Sequence, residues 1–190
     1  MRRKKPISHV AGFDDAPFPG NHRGDVTIIG TVFAGERLDG VLSGRVRRDG
    51  ANSTREIARM IQQSRFEPQI QLVMLQGIAL AGFNVVDVFT LHATLARPIL
   101  VVARHAPDMD GVREALLRNV SGGARKWRLI ERLGPMEPYG EIWAQRVGID
   151  ESETTEVLSR FSTNSHVPEP LRTAHIIAGG LASGESRGRV

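Results

Sequence analysis

Two adjacent carboxylates follow the first apolar segment of the chain. Residues 7–13 are predicted to form a strand at the centre of a sheet, and Asp14 and Asp15 come directly after it. Adjacent strand residues point to opposite faces, so only one of the two side chains can enter a given site, and we expect it to be Asp14. A carboxylate at that position is a candidate magnesium ligand. The alternative is a cap for the turn at residues 17–20.

A second candidate region lies where the fourth predicted strand ends and its crossover begins, at residues 75–87. Ligands of α/β sheets gather at the carboxyl ends of strands. Gly77, Gly82 and Asn84 allow tight backbone conformations close to a ligand. Asp87 could point back to the site as a second metal ligand and catalytic carboxylate. The alternative is that Asp87 caps the following helix.

Three further side chains could contribute to such a site. His175 lies four residues after Leu171, at the edge of the apolar stripe of the last predicted helix. There an imidazole could act as a base or orient a water, or it could be a hydrogen-bonded core histidine. Glu56 could reach a metal from the first helix, although a capping box already explains it. Asp49, which precedes Gly50, is explained by a turn that closes the third strand.

Basic residues are clustered, although the formal net charge is only +4. The clusters lie at residues 2–5, 45–48, 125–128 and 187–189. They suit contacts with nucleic-acid phosphates. The alternative is a solvated tail and ordinary exposed faces. The residues predicted to hold phosphates are Arg125, Lys126, Arg172 and Arg187.

The composition excludes several kinds of chemistry. The 190 residues include no cysteine, which removes disulfides, thiolate catalysis, zinc fingers and iron–sulfur clusters. The six histidines show no paired spacing typical of a zinc site. Any metal is therefore expected to be magnesium or manganese on carboxylates. The common nucleotide-binding glycine motifs are also absent.

The length and hydropathy indicate one soluble domain. No apolar run approaches the ~20 residues of a membrane helix, and no segment of signal-peptide type follows the basic N-terminus. We therefore expect a cytoplasmic protein. The domain is predicted to cover residues 7–190, preceded by a basic tail at residues 1–6.

The first half of the chain predicts three antiparallel strands followed by parallel ones. Alternating apolar and polar residues in the third strand are typical of a strand with one wet face. Two later strands are almost wholly apolar, as in a parallel sheet buried on both faces, so a crossover helix must lie between them. The predicted strands are residues 7–13, 25–34, 37–48, 70–75 and 98–103.

The helices complete an α/β fold. A capping box at residues 53–56 opens the first helix, and a late strand at residues 141–147 is expected to pack Trp143 inward. The whole is a three-stranded antiparallel meander continued by parallel strands with flanking helices. Ribonuclease-H-like folds use this order, and the alternative is another α/β fold that begins in the same way. The other predicted helices are residues 85–95, one from Asp108 or Asp110, 122–133, 151–161, and one from Pro168 or Pro170 with a stripe of Leu171, Ala174, Ala178 and Leu181.

Over nearly its whole length the chain resembles a known family. It is similar to the archaeal family of unknown function related to endonuclease V, sometimes called endonuclease dU. The resemblance implies a ribonuclease-H-like fold and a magnesium-dependent endonuclease that cuts DNA or RNA near deaminated bases, as in DNA repair. The strings that carry it are GFDDAPF, LDGVL, LQGIALAGFNVVD, PILVVAR and PEPLRTAHIIAGGLASGESRGR.

The resemblance also implies where a metal would be held. The acid at the end of the first strand matches Asp14, and the acid of the helix after the meander falls near Glu56 or where Arg55 stands. The third position reads Gln76-Gly77, and a neutral amide is a weaker magnesium ligand than a carboxylate. The aromatic–proline wedge of endonuclease V is absent. The side chains that could replace the missing ligand are Asp87, Asp49, His175 and Glu185.

Two functions follow from these residues. In the first, the protein is an endonuclease in which Asp14, with Asp15 and Asp87, holds a magnesium ion that activates a water, while His175 assists. In the second, it is a catalytically inactive ribonuclease-H-like module that binds nucleic acid or a protein complex. The first function requires that at least two carboxylates converge.

Overall fold

The computed structural model of the protein describes residues 6–186. Their strands form one seven-stranded sheet and one two-stranded hairpin. The predicted basic tail, apart from Pro6, and the predicted phosphate contact Arg187 lie outside the described residues. The strands are β1 (His9–Asp15), β2 (Asp25–Ala34), β3 (Arg37–Arg47), β4 (Leu72–Gln76), β5 (Ala79–Leu80), β6 (Asn84–Val85), β7 (Ile99–Ala103), β8 (Glu137–Tyr139) and β9 (Ile142–Val147). The helices are α1 (Ser53–Gln62), a 3₁₀ turn (Glu67–Gln69), α2 (Val88–Leu95), α3 (Met109–Asn119), α4 (Gly123–Leu133), α5 (Glu151–Phe161) and α6 (Glu169–Ser183).

The central sheet has the strand order β3-β2-β1-β4-β7-β9-β8. The first three strands pair antiparallel, β4 lies parallel to β1, and β7 lies parallel to β4. This confirms the predicted meander continued by parallel strands. Beyond β7 the sheet returns to antiparallel pairing with β9 and β8.

Two helical layers cover the two faces of the sheet. Ala11 and Phe13 of β1 pack in the core that α1 and α2 complete. Val10 of β1 and Met74 of β4 pack on the other face, with α5 and with Leu171 of α6. We call these the α1 layer and the α6 layer. Since alternate residues of β1 point to different layers, the same alternation decides where the carboxylates at its end point.

The crossover between β4 and β7 differs from its prediction. A single helix over residues 85–95 is wrong at its start, because residues 79–85 first form the β5–β6 hairpin. Ala81, in the turn of this hairpin, has a φ of 50°, which lies outside the range of a right-handed α-helix. The helix α2 begins only at Val88, immediately after Asp87.

The predicted capping box at the start of α1 does not form. Ser53 is buried in the first turn, where its hydroxyl donates to the Asn84 carbonyl and its N–H to the Asn84 side-chain oxygen, both at 3.1 Å. Glu56 instead accepts from Arg59 Nε at 2.9 Å, and this hydrogen bond lowers the pKa of the Glu56 carboxyl. The start of α1 is therefore anchored to β6.

The later helices follow their predictions more closely. Asp108 caps α3 by accepting from the Gly111 N–H at 3.1 Å. The helix α6 begins at Glu169, between the two predicted proline starts. Its apolar stripe ends at Ala178, because Leu181 is 67% exposed. This last part of the predicted stripe is wrong.

Trp143 in β9 does not pack fully inward, as the sequence had predicted it would. Its neighbours Ile142 and Ala144 are buried, whereas Trp143 is half-buried. Adjacent strand residues face opposite sides, so the inward positions belong to the two smaller side chains. Trp143 lies opposite Ala103, the last residue of β7.

The described helices are short. The longest, α6, has 15 residues. Within residues 6–186 no helix is long and apolar enough to cross a membrane. The cytoplasmic location stays a prediction.

Candidate active site

Asp14 lies at the carboxyl end of β1 and faces the α6 layer. It alternates with Phe13 in the same way as Val10, which packs in that layer. The residue is only 5% exposed. Its Oδ1 accepts a hydrogen bond from the Asp15 N–H at 2.9 Å. The structure thus places Asp14, and not Asp15, toward α6.

The second oxygen of Asp14 contacts a histidine near the other end of the chain. His175 Nδ1 lies 2.8 Å from Asp14 Oδ2. Because an ionised carboxylate can only accept, Nδ1 donates, and a neutral imidazole then carries its lone pair on Nε2. The His175 side chain is 40% exposed and that of Asp14 is 7% exposed. The pair therefore joins a buried carboxylate to an imidazole that solvent can reach.

A small residue lets α6 approach β1. A Cβ added to Gly12 would lie 2.6 Å from the carbonyl carbon of Pro170, so a larger residue cannot occupy this position without a shift of the helix. The Thr31 hydroxyl of β2 donates to the Pro170 carbonyl at 2.6 Å. These contacts fix the start of α6, and His175 follows little more than one turn later, over the end of β1.

The neighbouring strand brings an amide to the same place. Phe13 pairs with Leu75 in the parallel β1–β4 ladder. Asp14 and Gln76 are the next residues on these adjacent strands, so they point to the same layer. Gln76 Oε1 is buried and accepts no hydrogen bond from residues 6–186. Such an acceptor costs about 1–3 kcal/mol if nothing satisfies it, which suits it to a donor or a cation.

Asp15 faces the α1 layer and anchors the β5–β6 hairpin. Its Oδ2 accepts from the Ala81 N–H at 3.0 Å. Burial, and next the charge of Asp14, raises the pKa of Asp15 to about 6. This carboxylate therefore joins the end of β1 to the hairpin, on the opposite face from His175.

The raised pKa of Asp15 predicts a pH-dependent stability. Its folded-state pKa of about 6 exceeds the ordinary value of 3.8, so its contribution to stability is full at low pH and is lost as the pH rises through 6. From about pH 4 to about pH 7, the free energy of unfolding should fall by about 2 kcal/mol more in wild type than in Asp15→Asn. Urea unfolding at several pH values measures this difference. The exposed carboxylate of Asp25 provides the control Asp25→Asn, and parallel profiles for wild type and Asp15→Asn would contradict the prediction.

Asp87 caps α2 in the α1 layer, which is its alternative role. Its Oδ1 accepts from the Thr90 N–H at 3.0 Å and its Oδ2 from the Thr90 hydroxyl at 2.8 Å. The sheet therefore separates Asp87 from Asp14, and the predicted metal pair is not brought together. Within residues 6–186 no three or more His, Cys, Asp or Glu side chains form a group that could hold a metal ion.

Lys126 and Asp49 form a buried anchor beside the same hairpin. Asp49 has a φ of 52° and accepts from the Phe83 N–H through Oδ1 at 2.8 Å. Lys126 is 5% exposed and donates from Nζ to the Asp49 carbonyl at 2.5 Å. Burial lowers the pKa of this lysine. Its ammonium is committed inside the fold, so Lys126 is not the exposed phosphate contact that the sequence predicted.

The other predicted charged residues are dispersed. Arg125 is exposed on α4. Arg172 lies on α6, with Nη1 3.7 Å from Glu169 Oε2. Glu185 is exposed beyond the end of α6. The described arginines of the predicted phosphate-binding set therefore belong to different helices on different sides of the sheet.

Two features of the site were missed at the level of the sequence. The pairing of Asp14 with His175 joins residues 161 positions apart, and no local pattern signals it. The role of Asp15 as an anchor was also missed. The available signal for Gln76 was its place immediately beyond an apolar strand, where ligands of parallel sheets collect.

Comparison with known proteins connects this geometry to a family. The sequence model of the Endonuclease dU family matches residues 6–182 of the chain. A UPF0215 protein of the bacterium Deinococcus radiodurans is 54% identical over 183 residues, which cover 96% of this chain and 93% of that protein. The sequence resemblance had implied an archaeal family. This relative is bacterial, so the likeness is not confined to archaea.

Solved structures show the same fold. A protein of unknown function from Archaeoglobus fulgidus has a TM-score of 0.85 at 29% identity, covering 92% of this chain and 98% of that one. Endonuclease V of Ciona intestinalis, in complex with a 24mer DNA containing an inosine followed by a ribo-adenosine, has a TM-score of 0.55 at 14% identity, covering 88% and 83%. At this identity the second comparison shows likeness of fold alone.

Proposed function

The chain belongs to the endonuclease dU family, and on that premise we propose that it is a nuclease whose catalytic pair is Asp14 and His175. The observation that carries the proposal is the 2.8 Å contact between the Asp14 carboxylate and His175 Nδ1. A buried carboxylate that orients an accessible imidazole is suited to general base catalysis. The fold that the chain shares with endonuclease V supports the same class of reaction.

The reaction is the hydrolysis of a phosphodiester. His175 Nε2 removes a proton from a water as the water oxygen bonds to phosphorus, and the bond from phosphorus to the leaving oxygen breaks as that oxygen takes a proton from solvent. Asp14 holds the imidazole in the required tautomer and stabilises the imidazolium that forms. The proposed catalytic pair does not include Asp15 and Asp87, because each of them accepts hydrogen bonds that anchor the α1 layer.

A metal ion belongs to the same proposal. Asp14 and Gln76 Oε1 offer two oxygens on adjacent strands, and magnesium or manganese is usually held by one or two protein carboxylates together with water and phosphate oxygens. The buried and unsatisfied Oε1 fits such a cation. When bound, the ion supplies charge stabilisation to the phosphoryl oxygens.

The proposal extends to the fold type and to the substrate. The strand order β3-β2-β1-β4-β7, with two antiparallel and then two parallel pairings, supports the description as ribonuclease-H-like. The name of the family and the likeness to an endonuclease V solved on inosine-containing DNA support nucleic acid with deaminated bases as substrate.

A second candidate function has its own observation. Gln76 stands where the family resemblance places a third acid, and residues 6–186 contain no group of three acids and histidines able to hold a metal. This favours a module that binds nucleic acid without cutting it. The two functions differ in one result, which is turnover in the presence of a divalent metal.

Cleavage of labelled oligonucleotides carrying deoxyuridine or deoxyinosine tests the proposal directly. In magnesium or manganese, wild type should cut, and His175→Gln should cut about 100-fold more slowly or worse, because the base is lost. His166→Gln is the matched control, since His166 is exposed and pairs with Glu141 away from the site. Absence of cutting by wild type in either metal would reject the nuclease and favour the binding module.

A further inference from the structure

A basic groove runs between α1 and α4, with α2 as its floor. Its cavity has a volume of about 450 Å³ and continues into a smaller one of about 280 Å³. We define the basic groove by the residues that line it from the two walls and the floor, namely Arg55, Arg59, Gln63, Thr90 and Arg125. It belongs to the α1 layer and is thus separated by the sheet from Asp14 and His175.

Two guanidinium groups of the basic groove are uncommitted. Arg55 on α1 and Arg125 on α4 are exposed and line the same cavity from opposite walls. No carboxylate within residues 6–186 forms an ion pair with either. Arg59, in contrast, donates to Glu56 at 2.6 and 2.9 Å. Two unpaired guanidinium groups facing one cavity favour an anion between them, and their planar forks match phosphate oxygens.

The other charged residues of the groove leave it with an excess of positive charge. Asp87 lies in the floor and keeps its negative charge while its oxygens accept from Thr90, but it stands against the three arginines Arg55, Arg59 and Arg125 of the same lining. Lys126 lines the smaller cavity and adds a positive field from behind, while its Nζ donates to the Asp49 carbonyl. The anion is therefore left to the two arginines and to the neutral hydroxyls and amides around them.

The charge continues along one face of α4. Arg128 and Arg132 follow Arg125 at helical spacings of three and seven residues, so the three side chains project from one side of the helix. Arg132 also lies over the Phe89 ring of α2, with 4.2 Å between its guanidinium carbon and the ring centroid. Seven residues of helix span about 10 Å. A nucleic-acid strand presents one phosphate per roughly 3.4 Å of duplex axis, so the stripe can meet several phosphates.

We propose that the basic groove binds the phosphodiester backbone of a nucleic-acid strand, as a second contact surface behind the candidate active site. The inference rests on the proposed function in taking nucleic acid as the partner. The groove holds the strand through the charge of its arginines on the phosphates, so we expect its affinity to depend little on base sequence.

Binding and cleavage are measured separately to test this inference. Fluorescence anisotropy with a labelled single-stranded oligonucleotide, without divalent metal, compares wild type with the double variant Arg55→Gln/Arg125→Gln. We expect binding to weaken by roughly tenfold or more. The slope of log affinity against log salt should lessen by about 0.7 for each arginine removed. Arg160→Gln, on α5 in the α6 layer, is the matched control and should leave both quantities unchanged.

The outcomes separate the groove from the active site. Weaker binding by the double variant but not by Arg160→Gln, together with cutting by wild type, supports both proposals. Groove-dependent binding by a wild type that cuts nothing supports the groove and rejects the nuclease. Binding by the double variant equal to that of Arg160→Gln overturns the groove, whatever cleavage shows. Competition by polyglutamate as strong as by the oligonucleotide overturns the choice of nucleic acid as the partner.

Discussion

The variant Asp14→Asn should fold like wild type and cut nucleic acid about 10³-fold more slowly or worse. The amide keeps the shape of the carboxylate but removes its negative charge. The two carboxylate oxygens of Asp14 accept hydrogen bonds from the Asp15 N–H and from His175 Nδ1, and in the variant an NH₂ group replaces one of these oxygens. The imidazole then loses the partner that keeps its proton on Nδ1, and Nε2 is no longer held as the base. Single-turnover cleavage of a labelled oligonucleotide measures the loss.

A matched carboxylate separates this effect from a general loss of charge. Asp25 is exposed at the start of β2, 4.0 Å from Arg47, and its replacement removes one negative charge from the same sheet. Asp25→Asn should retain wild-type cleavage, and thermal unfolding should show that both variants remain folded. If Asp14→Asn cuts within tenfold of wild type, Asp14 is not the partner on which the base depends.

The strands of the antiparallel meander were predictable because their signals are local, whereas the short strands β5, β6 and β8 were not predicted. Both ends of β2 and the start of β3 agree with prediction, since the alternation of apolar and polar residues and the turn at Gly35 are read from neighbouring residues. The start of α2 was not predictable in the same way. It depends on the β5–β6 hairpin, whose turn holds Ala81 at a positive φ and is tied from outside by Asp15 and Asp49.

The candidate site shows the same division between local and distant causes. The capping role of Asp87 needs only Thr90, three residues away, and the sequence offered it as an alternative. The partner of Asp14 depends instead on where α6 crosses the sheet, and no periodicity encodes that. Gln76 had a local signal, its place at the end of an apolar strand, but its role depends on the neighbouring strand that places Asp14 beside it.

The position of α6 is itself testable through Gly12. In Gly12→Ala the new Cβ would lie 2.6, 2.7 and 2.8 Å from the carbonyl carbon, Cβ and carbonyl oxygen of Pro170. Two of these are backbone atoms, so the start of α6 has to move. Alanine would otherwise favour a strand over glycine, yet we expect the free energy of unfolding to fall by about 3 kcal/mol. Denaturant unfolding measures it.

The same substitution should damage catalysis without touching a catalytic group. A shift of α6 carries His175 with it, and a displacement of about 1 Å at a reacting group can cost about 100-fold in rate. Gly12→Ala should therefore lose cleavage under conditions in which it is still folded. Gly20→Ala is the control, because its added Cβ meets nothing within 4 Å. Wild-type stability in Gly12→Ala would mean that α6 is not held against β1 as described, and wild-type cleavage would mean that the Asp14–His175 contact does not limit the reaction.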